Sequence, residues 1–460
     1  MLKIKFCGAS GGNVTGSKHL ITSPKGKILL DCGLFQGRRS ESNLKNRKFS
    51  FEAMSVNAVI VSHAHIDHTG ALPSLIKNGF NSDIYITHTT EELSKIMLLD
   101  SAKLQKEDAD FYNKINKEKD YIEPIYDDED VKKTFNLFKT IKRNVVFPIA
   151  EDFKVKFINA GHVLGSSCIL IYYQGESILY SGDIGRRKQL ILKAFEFDET
   201  VDWLIIETTY GNRKHPDISD VLNLFKDIIR KAIERRSKII IPSFSLERTQ
   251  EIINIFDRIR HDEDIAAIPV YVDSPMSVKI TDIFNKYINE EDYSDEFKRY
   301  AEADKDPFGY DYISYLSSKQ QSQKLNSAKG PMIIISASGM CEGGRILHHI
   351  RNSIDNPDNI LLLVGYQAEN TLGRRLKDGA KKVKIFGLEH EVNFEVHSLD
   401  FFSSHADMDD LLYYVKKINP KKGIFLVHGE NESRECFKKL LIENGFKNIF
   451  LPEFDEEFEI

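Results

Sequence analysis

The sequence predicts an α/β protein in which a β-sandwich is interrupted by a second unit, a parallel sheet wrapped by helices. Three observations carry this expectation. Up to about residue 211 the chain breaks into short apolar runs separated by turn residues, and from Asn212 it alternates helix with strand. After about residue 368 the short alternating runs return, followed by a closing helix, strand and helix. The expected division is 1–211 and 369–460 for the sandwich, and 212–368 for the inserted unit. With 460 residues and 41% apolar side chains, the chain can bury more than one core.

Taken in order, the first strands are expected at Lys3–Phe6, His19–Thr22, Lys27–Leu30, Ala58–Ser62 and Ile84–Thr87. The stretch Glu91–Lys142 is rich in Lys, Glu and Asp, with apolar residues at helical intervals such as Leu93, Ile96 and Met97, and predicts helices lying over the sandwich. Strands follow at Phe153–Asn159, Cys168–Tyr173, Ser177–Tyr180 and Trp203–Glu207. The second unit is expected to place strands at Lys238–Ile241, Pro269–Val272, Met332–Ser336 and Ile360–Val364, between helices such as Val221–Arg235 and Glu247–Ile259, with a further helical stretch to about Ser318. Val383–Phe402 then reads as a return to the sandwich, which Met408–Ile418, Gly423–His428 and Glu432–Asn444 complete. Pro452–Ile460 alternates Phe with acids and suits a final strand or a loose tail.

A net charge of -6 argues against coating nucleic acid by bulk electrostatics, which needs many neutralised phosphates. Its distribution is uneven. Residues 1–50 carry ten basic side chains against Asp31 and Glu41, so the rest of the chain carries an excess of fourteen negative charges. A basic face over a cleft and a set of solvated lysines are both open readings. The five cysteines are scattered and form no short-spaced pair, and no run approaches the roughly 18 apolar residues of a membrane span. These features, and the absence of a signal-like start, predict a cytoplasmic protein with no membrane association.

The strongest chemical signal is Ser62-His63-Ala64-His65-Ile66-Asp67-His68, directly after an apolar strand. The alternate residues His63 and His65 can reach one metal, while the turn that follows directs Asp67 and His68 toward a second. Imidazole and carboxylate donors suit Zn²⁺ and similar divalent ions, with positions left for water. Three further strand ends offer single donors: His162 in Asn159-Ala160-Gly161-His162, Asp183 in Ser181-Gly182-Asp183, and His405 in Phe402-Ser403-Ser404-His405-Ala406-Asp407. Each alone is an ordinary turn residue; together they supply enough ligands for two ions.

These motifs, with Asp31 in Leu29-Leu30-Asp31-Cys32-Gly33, resemble in order those of the metallo-β-lactamase superfamily. Glu207-Thr208-Thr209-Tyr210-Gly211, Asp273-Ser274-Pro275-Met276-Ser277, Ser336-Ala337-Ser338-Gly339-Met340 and Val427-His428-Gly429-Glu430 narrow the resemblance to its β-CASP nucleases. The resemblance implies an αββα sandwich with an inserted β-CASP domain. It also implies a metal-dependent ribonuclease, endonuclease or 5′-to-3′ exonuclease, working by hydroxide attack between two metals and leaving a 5′-phosphate and a 3′-hydroxyl. Two Zn²⁺ per chain are implied, although manganese or iron suits the same donors. His63, His65 and His162 would hold one ion, Asp67, His68 and His405 the other, and Asp183 would bridge them. Asp31 would orient loop histidines from behind, and Glu207 would act near the scissile phosphate. Asp67, Asp183, Glu207 and His405 are thus the expected catalytic residues.

Histidine at position 405 goes with RNA-processing members, where the DNA-repair branch tends to carry valine, so single-stranded RNA is the expected substrate. Arg375 stands where the pre-mRNA 3′-end processing endonuclease has histidine. An arginine there cannot donate a proton usefully, which leaves electrostatic stabilisation. Candidate phosphate contacts are Ser243 and Arg248 after the strand Lys238–Ile241, Ser338, Gly339 and Arg345 in a glycine-rich turn, and Arg374 and Arg375 in a basic run. A tight turn and a solvated helix face are the plain alternatives for the last two. His348 and His349 read as packing or hydrogen-bonding residues. A homodimer is compatible with the sequence, but no motif shows one. The rival functions are a small-molecule metallo-hydrolase, such as a thioesterase or lactonase, and a catalytically silent scaffold that binds RNA or a partner.

Overall fold

The computed structural model describes residues 2–37, 39–115, 121–259, 268–290, 292–399 and 403–460. Arg38, part of the expected Glu91–Lys142 helical stretch (116–120), and Asp400, Phe401 and Phe402 at the end of the expected run Val383–Phe402 lie outside them. The chain forms two units, Met1–Lys214 with His405–Ile460, and His215–Ser404.

Among the described residues, the first unit holds two seven-stranded sheets. One runs Glu457–Glu459, Lys3–Phe6, His19–Thr22, Lys27–Leu30, Ala58–Ile60, Ile84–Ile86 and Phe138–Thr140 from edge to edge; the other runs Ile449–Phe450, Gly423–Val427, Trp203–Glu207, Glu176–Tyr180, Ser167–Tyr173, Phe153–Asn159 and Phe147–Ile149. The period of two sorts their side chains into layers. Ile28 and Leu30 point into a core shared with Phe157, Ile169, Ile178 and Phe425 of the other sheet. Leu29 between them faces outward, packing with Leu72, Leu75 and Leu98 from the helices Leu72–Lys77 and His88–Ile115. On the far side, Leu179, Leu204 and Ile206 meet Leu411 and Val415 of helix Met408–Ile418 and Phe437 and Leu441 of helix Asn431–Glu443. Each sheet is therefore buried on both faces, an αββα sandwich as expected. The tail resolves as a strand: Glu457–Glu459 pairs antiparallel with Lys3–Lys5.

The second unit is built on a six-stranded sheet ordered Ser314–Tyr315, Val270–Val272, Met332–Ser336, Lys238–Pro242, Ile360–Leu363 and Glu395–Ser398, with every neighbouring pair parallel. Its central strands, such as Ile239-Ile240-Ile241 and Ile333-Ile334-Ile335, are apolar throughout because helices cover both faces. The helical stretch expected up to Ser318 divides into Pro275–Lys286 and Asp295–Asp304 before the short strand Ser314–Tyr315.

The boundary expected at residue 368 is corrected here. Residues 369–404 belong to the second unit, since Glu395–Ser398 pairs in register with Ile360–Leu363, and the Asn393 and Phe394 amides donate to Ile354 O. The alternation that suggested a return to the sandwich has another cause. Glu395–Ser398 is an edge strand and Lys382–Ile385 pairs with Leu388–Glu391 in an outlying hairpin, so both keep exposed positions that a central strand lacks. Among the described residues, no helix is long and apolar enough to cross a membrane.

A candidate two-metal centre

The site in the first unit is assembled from the ends of strands. Strand Ala58–Ile60 releases the chain into Ser62–His65, and the short helix Ile66–Thr69 then turns Asp67 and His68 back toward the same space, its first turn closed by the His68 and Thr69 amides donating to His65 O. The segment after Lys27–Leu30 runs against this loop: the Cys32 amide donates to His68 O, Ser17 to Asp67 O and Leu34 to Ile66 O. Gly33 makes the approach possible, because a Cβ there would stand 1.5 Å from Asp67 O. His162, Asp183, Glu207 and His428 each leave the end of a strand of the second sheet.

The donors fall into two groups that share Asp183. Its Oδ2 lies 3.4 Å from His63 Nε2 and 3.5 Å from His162 Nε2, while His65 Nδ1 stands 3.1 Å and 3.2 Å from those same nitrogens. Its Oδ1 faces the other way, 3.2 Å from His68 Nε2 and 3.5 Å from His428 Nε2, and His428 Nε2 is 3.4 Å from Asp67 Oδ2. His63, His65, His162 and Asp183 can thus hold one ion, and Asp67, His68 and His428 another.

Hydrogen bonds behind the rings fix which nitrogen points inward. His68 Nδ1 donates to Asp31 Oδ2 at 2.7 Å. Ser62 Oγ donates to the same oxygen and so accepts from His63 Nδ1 at 3.0 Å. Thr209 Oγ1 donates to His428 O and accepts from His428 Nδ1, both at 3.1 Å. Each of these rings spends its proton on the outer side and aims the Nε2 lone pair inward. His68 Nε2 and His428 Nε2 are only 3.2 Å apart, so two lone pairs confront one another, and Asp183 Oδ1 is buried without a hydrogen-bond donor. A cation satisfies all three atoms. Ligands about 2.0–2.1 Å from a tetrahedral ion stand roughly 3.3 Å apart, which the observed separations match. The residues fit a divalent metal.

The electrostatics divide the two groups. Against the cost of burial, Asp183 and Asp31 raise His68, and Asp183 and Asp67 raise His428, so a cation entering there would displace protons, while the first group is already neutral. Burial lowers His65 to about 3, and burial with the neighbouring rings also lowers His63 and His162, so these imidazoles are neutral and ready to bind. Asp183 is held well below the ordinary carboxylate range, because His428 and His68 outweigh the cost of its burial. Asp31 is likewise lowered against burial, chiefly by His68; it also accepts from the Ser62 amide and from Tyr180 OH, each at 2.7 Å. Asp31→Asn would keep the shape but lose the negative charge facing His68 Nδ1. Metal affinity is expected to fall about 10–100-fold, read by competition with a chromogenic chelator; unchanged affinity would show that Asp31 does not orient the ring.

One placement differs from expectation. His405 does not join Asp67 and His68; His428 takes that place. His405 Nδ1 instead donates to Glu207, 2.8 Å from Oε1 and 3.0 Å from Oε2, and its ring centroid lies 4.5 Å from that of His162. Asp183, Glu207 and His405 form a third group of clustered donors. Glu207 is buried and also accepts from the Ile184 and Thr209 amides. Burial alone would lower His405, but Glu207 and Asp183 outweigh it and raise it to about 9; a bound cation acts in the opposite direction. The signal for His428 was present in Val427-His428-Gly429, a histidine after an apolar strand like those at 63 and 162. Tyr180 and Thr209 lie in plain strand and turn contexts, and nothing in the sequence marks them as partners of Asp31 and His428.

The other expected residues lie in the second unit. Ser243 Oγ accepts from Thr249 Oγ1, and Gly339 packs beside Phe244, so these meet where Pro242 and Ser336 end paired strands. Ser338 Oγ accepts from the Glu342 amide. Arg248 is buried and ion-paired with Glu251, Arg345 with Asp273 at 2.6 Å, and Arg374 with Asp378 on the surface. His349, as expected, hydrogen-bonds through Nε2, to Asp273.

Comparison with known proteins decides the lineage. The family model described as the metallo-beta-lactamase superfamily matches residues 12–242. This chain belongs to that superfamily. As a metallo-β-lactamase-superfamily protein it also carries a Beta-Casp domain match over 249–376 and a Zn-dependent metallo-hydrolase RNA specificity domain match over 389–452. It is 32% identical over 443 residues to Ribonuclease TTHA0252 of Thermus thermophilus, covering 96% of each chain. It is also 32% identical over 438 residues to the RNase J-like protein of Methanocaldococcus jannaschii, covering 94% of this chain and 93% of the relative. A crystal structure of a protein of unknown function from Enterococcus faecalis shares the fold, with a TM-score of 0.56 and 15% identity over 99% of both chains.

Proposed function

We propose that this β-CASP protein is a cytoplasmic metal-dependent ribonuclease that hydrolyses phosphodiester bonds of single-stranded RNA, with two zinc ions per chain as its resident metals. The observation that carries the reading is Asp183, which turns one carboxylate oxygen to each of two donor groups. The relatives named as ribonucleases, matched over almost their whole length, supply the substrate class. Two divalent ions supply a water of lowered pKa and stabilise charge on attacking and leaving oxygens.

The chain's own residues do the rest. His63, His65, His162, Asp67, His68 and His428 would hold the ions, and Asp31, Ser62 and Thr209 keep three of these rings aimed inward. Glu207 fixes Nδ1 of His405, so Nε2 is the atom at which His405 would give or take a proton. Glu207 holds that ring in a single orientation.

The test incubates purified, metal-quantified protein with 5′-labelled single-stranded RNA and with matched DNA, beside an Asp67→Ala/His68→Ala control, and resolves the products. RNA cleavage lost in the control is the expected result, and the product ladder separates internal cuts from end-wise digestion. Inactivity on both polymers despite bound metal would overturn the reading in favour of a scaffold or a small-molecule hydrolase.

A further inference from the structure

The basic surplus of residues 1–50 finds a partial explanation in a pocket of the first unit. Lys3 pairs with Glu457 and Glu459, and Lys5 with Asp455. Lys45 and Lys48, at and just past the end of helix Arg39–Arg47, make no ion pair among the described residues. Both line an open cavity of about 720 Å³, within the roughly 300–1,000 Å³ of small-ligand sites. Its walls are aromatic. Phe49 and Phe51 stand 5.4 Å apart on one side, Phe35 and Phe454 6.1 Å apart on another, and Phe454 and Leu44 are exposed at 42% and 74%. Lys45 Nζ lies 5.3 Å from the Phe35 ring and 5.7 Å from that of Phe454. Glu52 and Asp455 also line the cavity, but Asp455 is engaged by Lys5.

The inner wall is rigid and adjoins the metal loop. Lys18, buried, donates to Gly33 O at 2.5 Å and Gly16 O at 3.0 Å, with its ammonium 4.2 Å from the Phe35 ring. The backbone of Phe35 is clamped on both sides by Asn46, whose Oδ1 accepts from its amide and whose Nδ2 donates to its carbonyl, each at 2.8 Å. Gly33 and Ser17 in turn pack on Asp67, so one layer of backbone separates the pocket from a metal-binding residue.

We propose that this pocket docks a segment of single-stranded RNA outside the bond being cut, with a base against the phenylalanine rings and a backbone phosphate at Lys45 and Lys48. Aromatic faces beside cations that make no ion pair among the described residues are the combination that holds single strands without regard to sequence, since every base has a π-face and every nucleotide a phosphate. A purely apolar partner leaves the two ammonium groups unanswered, and a purely acidic one leaves the rings uncovered. The proposal rests on the ribonuclease reading and deepens it.

The test compares the full chain with Lys45→Glu/Lys48→Glu and with Phe454→Ala, all at exposed or half-exposed positions. Binding of a labelled single-stranded oligoribonucleotide is followed across a salt series, beside hydrolysis of bis(p-nitrophenyl) phosphate, which is too small to span pocket and metals. The charge reversal is expected to weaken RNA binding roughly tenfold and to lower the salt slope by about 0.7, the worth of one phosphate contact on a single strand. Phe454→Ala is expected to weaken binding without changing that slope. Hydrolysis of the small diester is expected to hold in both. RNA affinity and slope unchanged in the charge reversal, in a protein that cleaves RNA, would overturn the pocket and leave the ribonuclease reading intact. Poly-glutamate displacing the RNA as well as unlabelled RNA does would overturn base recognition. Wild-type protein that neither binds nor cuts RNA would remove the ribonuclease reading itself.

Discussion

Asp183→Asn is expected to cost about a thousandfold in RNA hydrolysis, the upper end of what a single electrostatic group in an active site contributes, and to reduce bound metal below two equivalents. The reason is the division of labour between its two oxygens, one toward His63 and His162, the other toward His68 and His428. Asparagine keeps a single oxygen. Whichever way its amide turns, an NH₂ group faces one donor group, where it cannot bind a cation. The negative charge that both groups share is lost as well. Metal content by elemental analysis and single-turnover rates check this together. Two equivalents of metal and a rate near wild type would show that Asp183 does not join the two groups.

The second large effect separates two histidines that the sequence alone confuses. His428→Ala is expected to lose one equivalent of metal and nearly all activity, because Nε2 of His428 stands within 3.4–3.5 Å of Asp67 and Asp183. His405→Ala is expected to keep both equivalents while the rate falls about 10²–10⁴-fold, the usual worth of a positioned acid or base. The ring of His405 is bound to Glu207 and its loss leaves both main donor groups whole. The signature is a split between metal stoichiometry and kcat. Loss of a metal from His405→Ala, with two retained in His428→Ala, would reverse the assignment and restore the grouping first expected.

Most of the candidate metal centre was legible because it sits where strands stop. A strand end fixes its last side chain in space, so His63, His65, Asp67, His68, His162 and Asp183 could be read as donors before any fold was known. His428 occupies the same context, but its motif served only as a mark of the family. Grouping was harder than membership. Which histidine faces which carboxylate depends on how strands distant in sequence line up, as Trp203–Glu207 does beside Gly423–Val427, and no local pattern encodes that register. The same limit explains the domain boundary. Alternation in Glu395–Ser398 reports partial exposure, and an edge of a parallel sheet produces it as readily as a sandwich does. The arginines at 248 and 345 show a third limit, since composition cannot tell a cation waiting for phosphate from one already paired with Glu251 or Asp273.

The insertion also sets an order of events during synthesis. A ribosome delivers His63 to Glu207 early, then must make the whole of residues 215–404 before His405, His428 and the strand Glu457–Glu459 that pairs beside Lys3–Lys5. Until then the second donor group is one imidazole short and Glu207 lacks its ring. A nascent chain that has not yet reached His428 therefore cannot hold the complete centre, however well its earlier strands have folded.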